Sequence, residues 1–110
     1  MKSIAIGNHG TINIHTMNVK EVGEVMRGLN NYQPTGADLI AQFDTDIMLP
    51  ETAVLLATGL TADELGAWLP EDIPALWRAV AEENDFLLRT LRKRLGGSQA
   101  PGDRKQVSVP

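Results

Sequence analysis

His9 and His15 are the only imidazoles in the chain, and they are the natural first candidates for acid–base work or metal binding. A metal site needs three or four ligands converging at short range. His9 sits in Gly7-Asn8-His9-Gly10 and His15 ends Thr11-Ile12-Asn13-Ile14-His15; neither has a second ligand at a suitable spacing. They read as a turn residue and an exposed strand residue. Asp44-Thr45-Asp46 resembles the start of a calcium loop, which continues with a further oxygen ligand and a glycine. Ile47, Met48 and Leu49 stand there instead, so the segment reads as a helix break. The two glycines around Asn8-His9 have the spacing of an RNA-binding loop, but that loop joins helices, whereas this one joins strand-like segments. No phosphate loop or dinucleotide fingerprint is present, and Ser3, Ser98 and Ser108 lack a nucleophile's context. The carboxylates Asp63, Glu64, Glu71, Asp72, Glu82, Glu83 and Asp85 are spread too evenly to single out an acid–base pair and read as a solvated acidic face. The expectation is a non-enzymatic protein with no catalytic residue, no metal site and no cofactor.

Composition bounds the rest. At 110 residues the chain fits one domain. With aromatics at 5%, the core must be filled by Leu, Ile, Val, Ala and Met. The absence of cysteine excludes disulfides and Cys-ligated zinc and is compatible with a reducing compartment. No apolar run approaches the roughly 18 residues of a membrane span, and the first residues form no leader core. The cytoplasm of the producing cell is therefore the expected location. Charge is unevenly placed: residues 61–88 hold one basic and seven acidic side chains, and residues 89–110 hold six basic and one acidic. An acidic body does not favour general nucleic-acid binding.

These residues must be positioned by mostly helical structure. Residues 3–6 and 11–16 alternate apolar and polar side chains around a turn-rich tetrapeptide, which predicts a β-hairpin. Its open edge offers one route to a homo-oligomer. Asn18 and Glu21 form a capping-box pattern ahead of the stripe Val19, Val22, Val25, Met26 and Leu29. Thr35 caps a short helix, with Asp38 at its third position and Leu39, Ile40 and Phe43 inside. Pro50 opens another over 50–58, ended by Gly59. Thr61 and Glu64 cap a helix of one to two turns that ends near Leu69. The stripe Ile73, Leu76, Trp77, Val80, Leu87, Leu88, Leu91 and Leu95 predicts one long helix over about 73–95, roughly 34 Å at 1.5 Å per residue. Residues 96–110 are too poor in apolar side chains to order themselves. The expected architecture is mainly α (α+β): one domain over 1–95, with a hairpin in 1–16, four to five helices in 18–95 and a flexible tail over 96–110.

Two features suggest recognition. Arg89, Arg92, Lys93 and Arg94, with Arg104 and Lys105 beyond, form a basic cluster. It complements a helix C-terminus and offers a patch for an acidic partner or nucleic acid. Trp77 lies on the stripe and reads first as core, whereas Trp68, next to Leu69-Pro70, would make a good anchor if exposed. An amphipathic helix pair can present a groove to another amphipathic helix. On that basis the candidate partner-binding set is Trp68, Leu69, Asp72, Ile73, Trp77, Leu87 and Leu91.

The order of caps and stripes is also familiar. Leu55-Leu56-Ala57-Thr58-Gly59-Leu60-Thr61-Ala62-Asp63-Glu64-Leu65, then Leu69-Pro70-Glu71-Asp72-Ile73, Leu76, Ala79-Val80 and Asn84, resembles the tail assembly chaperones of long-tailed bacteriophages and prophages. Those proteins pair a short helix ending in Gly-Leu with a capped Thr-x-x-Glu-Leu segment, a Leu-x-x-Asp step and a long amphipathic helix. The match covers roughly the C-terminal half, and Thr35-Gly36-Ala37-Asp38 resembles the opening of the family's helical part. The basic run after the long helix departs from many relatives. The resemblance implies a non-enzymatic chaperone that binds the tape-measure protein, with the tail-tube protein as a second partner. It further implies action in the cytoplasm of a bacterial host and absence from the mature virion. Two other readings stand beside it: a small nucleic-acid-binding regulator, and another phage scaffold or adaptor.

Overall fold

A computed structural model describes residues 2–95, with side chains up to residue 93. The expected flexible tail, 96–110, lies outside the described residues. Strand β1 (Lys2–Ala5) pairs antiparallel with β2 (Thr11–Ile14), with Ile4 opposite Ile12 and Lys2 opposite Ile14. Gly7 and Gly10 take positive φ at the two ends of the turn, a conformation that costs glycine little. Alternation sends Ile12 and Ile14 into the core, while Thr11 and Asn13 stay exposed.

Six α-helices follow among the described residues: α1 (Val19–Gly28), α2 (Gly36–Asp44), α3 (Glu51–Thr58), α4 (Ala62–Gly66), α5 (Ile73–Glu83) and α6 (Asp85–Leu95). The architecture is therefore mainly helical with an N-terminal hairpin, as the periodicities predict. The three capping boxes form as read: Asn18 with Glu21, Thr35 with Asp38 and Thr61 with Glu64 each exchange side-chain and backbone hydrogen bonds. Each satisfies helix-end N–H groups that have no partner within the helix. Gly59 ends α3 in the left-handed conformation at φ +78°, as the motif requires.

Four local expectations are corrected. Val19, assigned to the buried stripe of α1, is 90% exposed. It opens the helix at the rim, beside Phe86 rather than over the core. Leu39 and Phe43 of α2 are 58% and 96% exposed, because this helix buries Ala41 and Asp38 on its other side. The helix after Thr61 stops at Gly66 and does not run to Leu69, and a 3-10 turn at Pro70–Asp72 leads into α5.

The fourth correction is the largest. The long helix expected over 73–95 is two helices, broken at Asn84, whose φ −125° and ψ +46° are non-helical. The reason is a polar demand from the hairpin's exit. Asn84 is buried; its Oδ1 accepts from the Met17 N–H at 2.7 Å, and its Nδ2 donates to the His15 and Val80 carbonyls, both at 3.2 Å. The next helical turn is thereby re-aimed while Leu87, Leu88 and Leu91 stay buried.

The core centres on Trp77, which is fully buried with Ile14, Val25, Val54, Leu65 and Leu76. Its indole N–H donates to the Leu49 carbonyl at 3.0 Å. A second polar knot joins the helix starts around it. The Tyr32 hydroxyl donates to Asp38 Oδ2 and accepts from the Glu51 N–H at 2.8 Å. Burial, and then the bond to Asp38, push the Tyr32 phenol well above its ordinary range, so it keeps the proton that it donates.

Replacing Asn84 with Ala strands the buried Met17 N–H and the part-buried His15 carbonyl, at a cost of about 1–3 kcal/mol. Urea unfolding of Asn84→Ala is expected to show that loss. Glu21 gives the fold a pH dependence: its carboxyl is held below its ordinary 4.5, chiefly by the Asn18 N–H and further by His15. A lowered carboxylate stabilises the fold above its ordinary value, and that stabilisation is lost as pH falls through the lowered one. In Glu21→Gln the urea midpoint should therefore fall less between neutral and acid pH than it does in the parent chain.

Candidate functional site

The residues proposed for recognition separate into three groups. Ile73, Trp77, Leu87 and Leu91 are buried in the chain's own core, so they are corrected from partner contacts to packing residues. The amphipathic stripe that suggested a groove for another helix is already filled from within. Trp68, Leu69 and Asp72 stay near the surface. Of the basic patch, Arg89, Arg92 and Lys93 are exposed on α6, with Arg89 paired to Asp85 at 3.0 Å; the Arg94 side chain lies outside the described residues.

Trp68 is half-buried because a residue of the hairpin turn covers it. The His9 ring stacks on the indole with centroids 3.8 Å apart and planes 7° from parallel. His9 Nε2 lies 3.2 Å from Asp72 Oδ2. The turn and the start of α5 meet so closely that a Cβ on Gly7 would fall 2.7 Å from the Asp72 carboxylate. His9 is thus more than a turn residue: with Trp68 and Asp72 it fastens the hairpin to the α4–α5 junction. His15 is likewise occupied, with Nε2 3.0 Å from the Glu21 carboxylate.

Beside that junction lies an open groove of about 600 Å³ between α2 and the entry to α5, lined by Leu39, Ile40, Phe43, Asp44, Pro70, Glu71 and Pro74. A second recess of about 360 Å³ shares Ile40 and Pro70 with it and adds Glu51 and Trp68. Leu69, 55% exposed, stands at the same junction. The walls are mostly apolar and carry carboxylates on the rim. Arg78 approaches Asp44 at 3.9 Å with both side chains exposed, a screened contact of little strength. Exposed apolar residues gathered under a charged rim make this groove the candidate docking surface among the described residues. Prolines at 70 and 74 stiffen the wall on the α5 side.

Sequence reasoning placed Leu39 and Phe43 in a helix but not in a site. A signal was present. In α2, Ala37 and Ala41 fall on one side and Leu39 and Phe43 on the other, four residues apart and so adjacent on the surface. Such a helix cannot bury both sides against one layer. Among the described residues, no group of three His, Cys, Asp or Glu side chains is placed to hold a metal ion, and no helix is long and apolar enough to cross a membrane.

Gly7→Ala puts a side chain at φ +50° and against Asp72. The expected loss is about 1–2 kcal/mol for the left-handed conformation alone. Tryptophan fluorescence is expected to change with it as the His9 stack on Trp68 loosens, and a urea titration of Gly7→Ala in a Trp77→Phe background, compared with Trp77→Phe alone, reads both at Trp68.

No family model, no curated protein and no solved structure matches this chain.

Proposed function

We propose that this chain is a non-enzymatic assembly chaperone of long-tailed phage tails, and that it docks amphipathic helices of the tape-measure protein on the face formed by α2 and residues 69–74. The observation that carries the reading is the pair Leu39 and Phe43, held outward over the groove beside Leu69, Pro70 and Pro74. The resemblance in residues 55–88 supports it, because that segment builds one wall of the groove and the helices that brace it.

The physics suits the task. A tape-measure protein is long and helical, and its apolar stripes need cover until the tube subunits close around it. A groove walled by Leu, Phe and Pro accepts such a stripe without demanding one sequence. Asp44 and Glu71 on the rim favour clients with basic flanks and speed their encounter. The tail-tube protein is the second partner on this reading. The work would take place in the cytoplasm of the bacterial host, with the chaperone left out of the finished virion.

Phe43→Asp and Leu39→Lys alter exposed side chains, so stability should stay within about 0.5 kcal/mol of the parent. Co-purification with tape-measure fragments is expected to weaken at least tenfold in either variant, about 1.4 kcal/mol of binding. Undiminished capture by both variants would remove this face from the mechanism.

A further inference from the structure

The hairpin has one edge that its own chain leaves open. Among the described residues, β2 is the only strand beside β1. The outer edge of β2 is taken at its end by α3, where the His15 N–H donates to the Ala57 carbonyl at 2.9 Å. The ladder fixes where the free groups of β1 point. The Ile6 N–H donates to the Gly10 carbonyl at 3.3 Å, and Ile4 lies opposite Ile12 and Lys2 opposite Ile14. These are the hydrogen-bonded pairs, because such pairs alternate along an antiparallel ladder. The N–H and C=O groups of Ser3 and Ala5 therefore point away from β2, and both residues are exposed. We infer that this edge pairs with the same edge of a second copy, antiparallel about a twofold axis at Ile4, to make a four-stranded sheet.

The free groups choose the register. With Ile4 opposite the partner's Ile4, Ser3 faces the partner's Ala5, and Ala5 faces the partner's Ser3. Each of those pairs exchanges two hydrogen bonds, and no outward group of Ser3 or Ala5 is left over. A register centred on Ser3 or on Ala5 instead carries one of them past the end of the partner's β1. The side chains agree with this choice. Ile4 is half-buried at the margin of the core. Side chains come closest across a non-hydrogen-bonded pair, so the two copies of Ile4 cover each other's remaining apolar surface. On the outer face only the small Ser3 and Ala5 meet. Charge fits a second copy as well. Lysines commonly guard exposed edges, but Lys2, the only charged residue of β1, is already held in an ion pair by Glu82. Pairing therefore brings no unmatched charge into the seam. A strand pair this short buries less than the roughly 1,200 Å² of a stable interface, so the dimer is weak and reversible. The edge shares no residue with the groove between α2 and α5, and client docking does not depend on it.

Isotope-filtered spectra of the full chain read the pairing directly. Labelled copies are mixed with unlabelled ones at a total concentration on the order of 1 mM, the weak end of useful affinities. The inference predicts a contact between the Ile4 Hα atoms of the two copies, a pair that this register alone brings together. Translational diffusion should slow towards a dimer as concentration rises. The Ser3 and Ala5 amides should gain exchange protection over the same range, while Ile4, already bonded to β2, gains little. Ala5→Pro removes an outward N–H and leaves the hairpin's own bonds in place, a position where an edge strand accepts proline. Ser3→Lys with Ala5→Lys sets like charges opposite one another across the seam. Both variants are expected to stay monomeric; if the proline disturbs the hairpin, the lysine pair decides. Diffusion that does not change with concentration would overturn the inference. So would a dimer that survives the lysine pair, or concentration-dependent shifts centred on Leu39 and Phe43 or on Val19 and Phe86. No client is present, so either result leaves the docking function to its own capture experiment.

Discussion

Trp77 sets the frame on which the other elements are hung. It is the largest fully buried side chain, and its only polar atom must find an acceptor away from water. The acceptor is the Leu49 carbonyl, in the connection between α2 and α3. One side chain thus sits fully buried in the core and also clamps α5 to the connection between α2 and α3. With α5 held there, α2 lies along its first turns, and the residues of α2 that face away from the core have no layer left to cover them. The groove follows from that placement: Leu39 and Phe43 on one side, Pro70 and Pro74 on the other.

A second constraint joins the hairpin to this frame. Two short strands alone are marginal in water, and the exit of β2 toward α1 would bury backbone groups without partners. Two sets of contacts meet that demand, and a third fastens the turn. The His15 N–H reaches the Ala57 carbonyl at 2.9 Å, Asn84 serves Met17 and His15, and His9 stacks on Trp68 with Asp72 beside it. The cost appears as a broken helix. A continuous rod from 73 to 95 would keep its own hydrogen bonds, but it would leave the Met17 N–H buried without its Asn84 acceptor. The balance favours the break, since an unsatisfied buried donor costs about 1–3 kcal/mol.

This division explains which parts were legible in the residues. Hairpin alternation, three capping boxes, the Gly59 stop and the core stripe depend on neighbours within four residues, and each appears where the spacing places it. The break at Asn84 does not, because its partners Met17 and His15 lie almost seventy positions away and asparagine within a helical pattern carries no address for them. His9 is the same case: its partners Trp68 and Asp72 come from the far side of the chain. The candidate site was half legible. Leu69 stays at the surface, but Ile73, Trp77, Leu87 and Leu91 were chosen for periodicity, and periodicity marks the face a helix buries. The exposed anchors were the surplus apolar residues of α2, visible only once one face of that helix is known to be covered.

The account then rests on one claim, that the face of α2 and residues 69–74 is where a client helix docks. The most direct measurement follows the amide signals of the full chain as a tape-measure helical peptide with basic flanks is added. The account predicts saturable shifts concentrated at residues 39–44 and 69–75, with the hairpin turn and α6 unmoved. Shifts centred instead on Arg89, Arg92 and Lys93, or on the β1–β2 edge, would contradict it.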